Sequence, residues 1–226
     1  MEKQAKQLTQ KNQEFDNLIQ KYIASQEQNL NQTQTNYQQP EKIASQKTAI
    51  LITDSNGKRI KPKIPRNEGI QWQHIRNVWR ASDIPKQTKD QEARRLLEKA
   101  DTILVMVGLN EIWDGKSAME TFRSIEENIT TLIDYNKPVT LIEVPPIMNI
   151  AHKNEAKCLN ILLMRIPQKY RYVTILESWK EMSEMDPQDI FENDKFHLDT
   201  DKEGTTIMAQ KIMNHTQGIL SDTPAK

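Results

Sequence analysis

Residues 49–57 read AILITDSNG, and this stretch sets the expectations for the rest of the chain. Its short aliphatic run is closed by the polar cluster Thr-Asp-Ser-Asn-Gly, which is typical of a buried strand that ends in a tight turn. Ligands of open α/β sheets collect at the carboxyl edge of the strands. Ser55 is therefore a candidate nucleophile. Asp-Ser-Asn-Gly is also ordinary turn chemistry, in which Asp54 would only stabilise the turn.

The composition is typical of one globular domain with an extension. The 226 residues include 31 Lys and Arg and 31 Asp and Glu, so the formal net charge is zero. This balance gives no general argument for nucleic acid or a membrane surface as partner. The basic residues 58–63 (KRIKPK) are interpreted as a solvated loop rather than a phosphate-binding patch. The single cysteine, Cys158, excludes an intramolecular disulfide, fits a reducing compartment and is expected to be buried in a helix.

The N-terminal part differs from the rest because it is rich in Gln, Asn and Lys. Leu8, Phe15 and Tyr22 recur every seven residues, a heptad-like spacing that predicts a marginal helix or short coiled coil. Residues 29–47 are polar and predict a flexible linker. We therefore expect a segment at 1–46, with self-association through residues 1–35, and a domain at 47–226. Neither a secretory signal nor a membrane-spanning run is visible, which predicts an intracellular, cytoplasmic protein.

Apolar runs and helical spacing alternate along the domain. Strands are expected at 49–53, 75–81, 102–107, 139–144 and 172–176. Helices are expected at 88–100, 117–135 and 155–168, and a last helix should follow Thr200, with Glu203 completing a capping box. Strands that alternate with long helices imply parallel pairing, so we expect an α/β fold, a three-layer α/β/α sandwich with about five parallel strands.

Polar groups fall on three loops that such a sheet brings to one edge. Ser55 follows the first strand, Asn110 follows the run at 102–107, and Asp194 and His197 lie on the loop before the last helix. A hydroxyl, an imidazole with a carboxylate three residues away and a side-chain amide are the groups that acyl transfer needs. The serine needs a base, the imidazole needs an orienting carboxylate, and the tetrahedral oxyanion needs N–H donors.

The order of three short motifs resembles the SGNH (GDSL-type) hydrolase superfamily over about residues 47–215: Asp54-Ser55, Gly108-x-Asn110 and Asp194-x-x-His197. The resemblance implies a flavodoxin-like sandwich and a serine esterase that hydrolyses small acyl esters, above all acetyl esters, through an acyl-enzyme. Asp54 and Gly108 would support the site. The sequence has no Cys/His cluster with zinc spacing and no glycine loop for phosphate, so no metal and no nucleotide are expected.

The resemblance also assigns roles. Ser55 would be the nucleophile, His197 the general base and Asp194 the group that orients His197. The oxyanion hole would be formed by the backbone N–H groups of Ser55 and Ser82 and by the side-chain amide of Asn110. His197 as a purely structural histidine remains the alternative at that position.

Three departures from the family pattern leave a second hypothesis open. Thr53 replaces the glycine before Asp-Ser, Ser82 stands at the place of another glycine, and Glu111 replaces an aspartate after Asn110. The chain would then be a catalytically weak or inactive SGNH-like module that acts in self-association or in binding nucleic acid or another partner. A polar helical segment before such a domain, and the phrase ITDSNGKRIKPK, are similar to first-open-reading-frame proteins of CR1/L2 LINE-type retrotransposons.

The remaining histidines and two of the tryptophans are not assigned to the candidate site. Three histidines lack a partner pattern and are expected at the surface: His74, His152 and His215. Trp72 and Trp79 are expected to pack in the core or at its rim, and lining a substrate pocket is the alternative.

Overall fold

A computed structural model describes residues 46–67, 69–76, 78–192 and 196–222, apart from the side chains of Ile150, Ala151 and Asp222. These residues all lie in one of the two units into which the chain divides, Ser45–Lys226. The predicted coiled coil and residues 29–45 of the predicted linker lie outside the described residues, and so does Asp194. Lys47, the last residue of that linker, belongs to the first strand.

The sheet has five parallel strands in the order β2-β1-β3-β4-β5. The strands are β1 (Lys47–Thr53), β2 (Ile70–Ile75), β3 (Thr102–Met106), β4 (Val139–Ile142) and β5 (Val173–Leu176). This is the flavodoxin-like order of a doubly wound sheet. The predicted α/β sandwich with five parallel strands is confirmed.

Helices cover both faces of the sheet. They are α1 (Ser55–Ile60), α2 (Ile84–Lys89), α3 (Gln91–Lys99), α4 (Leu109–Trp113), α5 (Ala118–Ile133), α6 (Ile150–Leu163), α7 (Ile166–Lys169), α8 (Trp179–Glu184) and α9 (Glu203–Asp222). Single 3₁₀ turns occupy Lys61–Lys63, Ala81–Asp83 and Pro187–Asp189.

Two hydrophobic cores lie on opposite faces of the sheet because side chains alternate along each strand. Ile103 of β3 belongs to the core that α3, α5 and α6 cover, whereas Leu104 belongs to the core that α1 and α9 cover. Thr53 pairs with Met106 at the ends of β1 and β3. The chain therefore leaves both strands at the same edge, and this register positions the candidate site.

The second strand is not where the sequence predicted it. Residues 75–81 were expected to form it, but β2 is Ile70–Ile75, and the chain after Arg76 enters the 3₁₀ turn at Ala81. Polar residues in the segment IQWQHI obscured the strand. An edge strand tolerates them because only part of its surface is covered, and the four central residues of β2 are exposed or partly buried.

Several helix boundaries also differ from the prediction. The helix expected at 88–100 is divided at Asp90, whose side chain caps α3 by accepting the N–H groups of Glu92 and Ala93. The last helix begins at Glu203, so Thr200 is not its cap. Similarly, α6 begins before residue 155, and the helix expected at 155–168 is interrupted between α6 and α7. The short helices α1, α4 and α8 lie in segments expected to be loops.

Burial corrects the predictions for four polar or reactive side chains. Cys158 is exposed on α6, so the prediction of a buried thiol is wrong. The three histidines expected at the surface are partly buried. The Nε2 atom of His74 lies 3.3 Å from the Thr53 hydroxyl, that of His215 lies 3.2 Å from the Thr140 hydroxyl, and the His152 ring packs against Trp113.

Candidate active site

Ser55 lies where β1 passes into α1. The Asp54 side chain caps this helix by accepting the Asn56 N–H at 3.0 Å, and Asp is among the residues that favour such a cap. The segment expected to be a tight turn is therefore the start of a helix. Ser55 is its first residue and is only 9% exposed.

The structure brings Ser55 and His197 together. The Ser55 Oγ and the His197 Nε2 are 3.1 Å apart, although the residues are separated by 142 positions in the sequence. A neutral Nε2 at this distance can accept the serine proton, which is the contact that a nucleophile and its general base require. The carboxylate predicted beside the histidine, Asp194, lies outside the described residues.

Two side chains of α1 hold the loop that carries His197. The Asn56 Oδ1 accepts the N–H of Leu198 at 2.7 Å, and Asn56 is completely buried. One turn later, Arg59 donates to both carboxylate oxygens of Glu192, at 2.9 and 2.7 Å. Neither residue was predicted from the sequence to support the site. Their only signal was their position one and four residues after the candidate nucleophile.

Close packing accounts for the threonine that replaces the family glycine. A Cβ atom on Gly57 would lie 1.9 Å from the Thr53 Oγ1. The side chain at 53 therefore fills the space that a side chain at 57 would need. In this chain the small residue stands two positions after the serine instead of two positions before it.

Gly108 shapes the turn that leads to Asn110. Its φ of 117° lies in the left-handed region, and a Cβ atom would lie 2.9 Å from the Leu159 Cδ2, so both backbone and packing favour glycine. Asn110 then lies in α4, where its side-chain amide donates to the Trp79 carbonyl at 2.8 Å. This bond uses one of the two amide hydrogens and orients the group.

The predicted third donor, the Ser82 N–H, lies in the 3₁₀ turn that begins at Ala81. The Ala81 N–H donates to the Glu111 Oε1 at 2.7 Å, and the Asp83 N–H donates to the Arg80 carbonyl at 3.0 Å. For the Ser82 N–H, no hydrogen bond is found to any residue that the structure describes. Of these three consecutive amides, it is the one left to bind something else.

Burial shifts the titration of three groups near Ser55. It raises the pKa of Asp54 to about 7, with the negative charge of Glu111 adding to the effect and the Asn56 N–H opposing it. Burial likewise raises the pKa of Glu111, against the hydrogen bond from Ala81. The pKa of His74 falls to about 4, first through burial and then through neighbouring cations.

Exposed aromatic side chains flank the site. Trp79 is 52% exposed, and the Lys58 ammonium lies 4.8 Å from its ring centroid. Trp113 is 44% exposed, and its ring centroid lies 4.4 Å from that of Phe196. The Phe196 centroid in turn lies 4.8 Å from that of the His197 imidazole. Trp72 is partly buried against the core beneath α9.

The described residues contain neither a metal-binding cluster nor a membrane-spanning helix. No group of three or more His, Cys, Asp or Glu side chains in these parts of the chain is arranged to hold a metal ion. None of the helices in the same ranges has both the length and the apolarity needed to cross a membrane.

Comparison by sequence finds no matching family model and no matching curated protein. Comparison by structure finds 70 matching solved chains. A GDSL-family lipolytic protein of Veillonella parvula superposes with a TM-score of 0.58 at 14% identity, over 74% of this chain and 97% of its own. The lipase/acylhydrolase of Enterococcus faecalis superposes with a TM-score of 0.59 at 16% identity, over 79% of this chain and 100% of its own.

The acetylxylan esterase Axe2 of Geobacillus stearothermophilus gives a TM-score of 0.58 at 13% identity, over 77% of this chain and 95% of its own. The matches cover nearly the whole of these proteins, at identities that establish only a common fold. On the strand order, the helices on both faces and these superpositions, the described part of the chain has the fold of the GDSL/SGNH lipolytic esterases.

Proposed function

We propose that the protein is a serine esterase that hydrolyses small acyl esters through an acyl-enzyme, with Ser55 as nucleophile and His197 as general base. The single observation that carries this proposal is the 3.1 Å contact between the Ser55 hydroxyl and the His197 Nε2. The contact joins two residues that the motif order had paired, at the sheet edge where ligands of such folds bind.

The reaction follows from the chemistry of these groups. His197 takes the proton of Ser55 as its oxygen attacks the ester carbonyl carbon, and the resulting tetrahedral oxyanion collapses as the alcohol leaves with that proton. A water molecule, activated by the same imidazole, then attacks the acyl-enzyme and releases the acid. Asp194 is proposed to orient the imidazole during both steps.

The oxyanion would be stabilised by three N–H groups. The Ser55 N–H is the first of its helix and therefore has no acceptor within the helix. The Ser82 N–H and the second hydrogen of the Asn110 amide are the other proposed donors. Losing one such donor typically costs about 3–4 kcal/mol of transition-state stabilisation.

The proposed substrates are small, and acetyl esters are the first candidates. Support comes from the Geobacillus enzyme of the same fold, which is an acetylxylan esterase. At 13% identity that likeness concerns the fold, so the acyl group and the alcohol of the natural ester are proposals for this chain.

Hydrolysis of p-nitrophenyl acetate by purified protein tests the proposal. Ser55→Ala should lower kcat by at least about 100-fold, because the nucleophile is lost. Ser183→Ala is the matched control, since that hydroxyl is exposed on α8 and donates only to the Lys180 carbonyl. Equal rates for the wild type and Ser55→Ala would eliminate Ser55 as the nucleophile. Labelling by a fluorophosphonate probe should map to Ser55.

A second candidate function is the binding of an anionic partner by a weakly active module. Lys58, Lys61 and Arg76 all lie close enough to His74 for their charges to lower its pKa. Fluorescence anisotropy with a single-stranded RNA oligonucleotide should then show binding that weakens with salt and with Lys58→Gln/Lys61→Gln. Absence of binding at low salt would exclude this candidate.

Self-association through residues 1–35 belongs to the same candidate function. Light scattering of the full chain and of a shortened chain that begins at Ser45 distinguishes an oligomer from a monomer. An oligomer that becomes a monomer on shortening is expected, and a monomer in both cases would exclude this assembly.

A further inference from the structure

Glu111 is a completely buried carboxyl next to the proposed oxyanion donor Asn110. Its Oε1 accepts the Ala81 N–H at 2.7 Å, directly before Ser82 in the chain. This glutamate stands where the family pattern has an aspartate. Its longer side chain gives the carboxylate the reach for a contact with a different loop.

Three residues of the segment 110–114 form hydrogen bonds or an ion pair with residues 79–81. Asn110 donates to the Trp79 carbonyl, Arg80 forms an ion pair with Asp114, and Glu111 accepts from Ala81. The ion pair is about half exposed, and salt and water weaken such pairs. Glu111 is the fully buried member of the three, so we expect it to contribute most to the rigidity of this junction.

Glu111 is one of two buried carboxyls behind Ser55. Asp54 is 1% exposed, and its Oδ1 accepts the Asn56 N–H. The second oxygen of each carboxyl, Asp54 Oδ2 and Glu111 Oε2, is buried without a hydrogen-bond partner among the described residues. The negative charge of Glu111 also contributes to the raised pKa of Asp54.

We propose that Glu111 is a positioning residue for the oxyanion hole. Its buried carboxylate holds the Ala81–Ser82 turn against the start of α4, where Asn110 lies. In this way the Ser82 N–H and the Asn110 amide are kept in one arrangement. This inference rests on the proposed function of the site.

The cations that act on the two carboxyls lie on several elements. Lys58 of α1 acts on Asp54, whereas Lys116 and Arg80 act on Glu111, and all three favour the ionised forms. Burial has the larger effect on both carboxyls and opposes ionisation.

Two conservative variants separate the reach of Glu111 from its charge. Glu111→Gln keeps an oxygen for the Ala81 N–H and removes the charge, so its kcat for p-nitrophenyl acetate should stay within about 3-fold of the wild type. Glu111→Asp keeps the charge but is one methylene shorter. Its kcat should fall by at least about 10-fold with a KM within about 3-fold, because the oxyanion donor and not substrate binding is displaced.

Glu143→Asp is the matched control. Glu143 is also buried, its pKa is raised by burial, and it accepts the N–H groups of Ser178 and Trp179 at 2.7 Å each. Shortening it should lower the free energy of unfolding without lowering kcat. A Glu111→Asp variant that is destabilised as much as Glu143→Asp but keeps wild-type kcat would overturn the positioning role.

Amide hydrogen exchange tests the inference independently of catalysis. Exchange of the Ala81 N–H should be at least about 10-fold faster in Glu111→Asp than in the wild type. Unchanged exchange contradicts the inference even if Ser55→Ala shows that the esterase proposal is wrong.

Discussion

At the scale of single residues, three side chains that support the candidate site are buried more deeply than the groups proposed to react. Asp54, Asn56 and Glu111 are at most 1% exposed, whereas Ser55 is 9% exposed and His197 is partly buried. A buried polar group must keep its partner, because leaving a donor or acceptor unpaired costs about 1–3 kcal/mol. The supporting residues are therefore where we expect small substitutions to have large effects.

Asn56→Ala should affect both stability and activity. It leaves the buried Leu198 N–H without its acceptor, so the free energy of unfolding should fall by about 1–3 kcal/mol. Because Leu198 follows His197, the esterase rate of the folded variant should fall several-fold. Urea unfolding and p-nitrophenyl acetate turnover measure the two effects.

Asn160→Ala is the control for Asn56→Ala. The Asn160 side chain is buried and bonds to both the N–H and the carbonyl of Val144, which lies on a different loop from His197. This variant should lose stability and keep its rate. Equal rate losses in both variants would show that the effect of Asn56 is a general loss of stability.

Asp54→Asn should remove part of the pH dependence of stability. The pKa of Asp54 rises from an ordinary 3.8 to about 7 on folding, so the folded state holds the proton more tightly than the unfolded state. Its contribution to stability is fully present below pH 4 and is lost as the pH rises through about 7. Asparagine keeps a capping oxygen and does not titrate.

Between pH 4 and pH 8, the free energy of unfolding should therefore fall by about 2–4 kcal/mol more in the wild type than in Asp54→Asn. Urea denaturation at a series of pH values measures this difference. The prediction is wrong if both proteins lose the same free energy over that range.

At the scale of elements, α1 links three parts of the candidate site within six residues. It presents Ser55 at its start, it holds the His197 loop through Asn56 and Arg59, and it approaches β1 at Gly57. So short a helix has little stability of its own. We infer that contacts with β1 and with the loop before α9 keep it formed.

Gly57→Ala should show that α1 and β1 fit each other. The added Cβ would overlap with the Thr53 side chain, so the free energy of unfolding should fall by at least about 2 kcal/mol. Thr53→Gly alone should cost about 1 kcal/mol, because glycine is unfavourable in a strand. Their combination should be more stable than the sum of the two losses predicts, since it removes the overlap. Strictly additive losses in a double-mutant cycle would contradict this explanation.

At the scale of the whole molecule, the five-stranded sheet separates two cores and aligns the loops that follow its strands. β3 is the central strand, and all five of its residues are buried. Helical layers cover both of its faces. The same register that buries β3 brings the loops after β1 and β3 to one edge of the sheet.

Ile103→Ala and Leu104→Ala should each lower the free energy of unfolding by about 2–5 kcal/mol, one on each face of the sheet. Met119→Ala is the control, because this side chain is 43% exposed. That substitution should cost less than about 0.5 kcal/mol. Urea unfolding measures all three. A loss below about 1 kcal/mol on either face would show that the layer there contributes little.

The sequence alone determined the α/β class, four of the five strands and the pairing of Ser55 with His197 as a hypothesis. Continuous apolar runs such as residues 103–106 are too short for a buried helix and favour a strand covered on both faces, so local pattern was sufficient there. The strand at 70–75 was missed because an edge strand carries polar side chains that resemble a loop.

Only the tertiary structure decided which polar side chains support the site. Asn56, Arg59 and Glu111 have partners 142, 133 and 30 positions away in the chain, and no local pattern encodes such distances. Periodicity records which face of an element is apolar, because that property repeats every few residues. A hydrogen bond between loops depends instead on where the sheet register brings two strand ends, and that is determined only when the whole chain is folded.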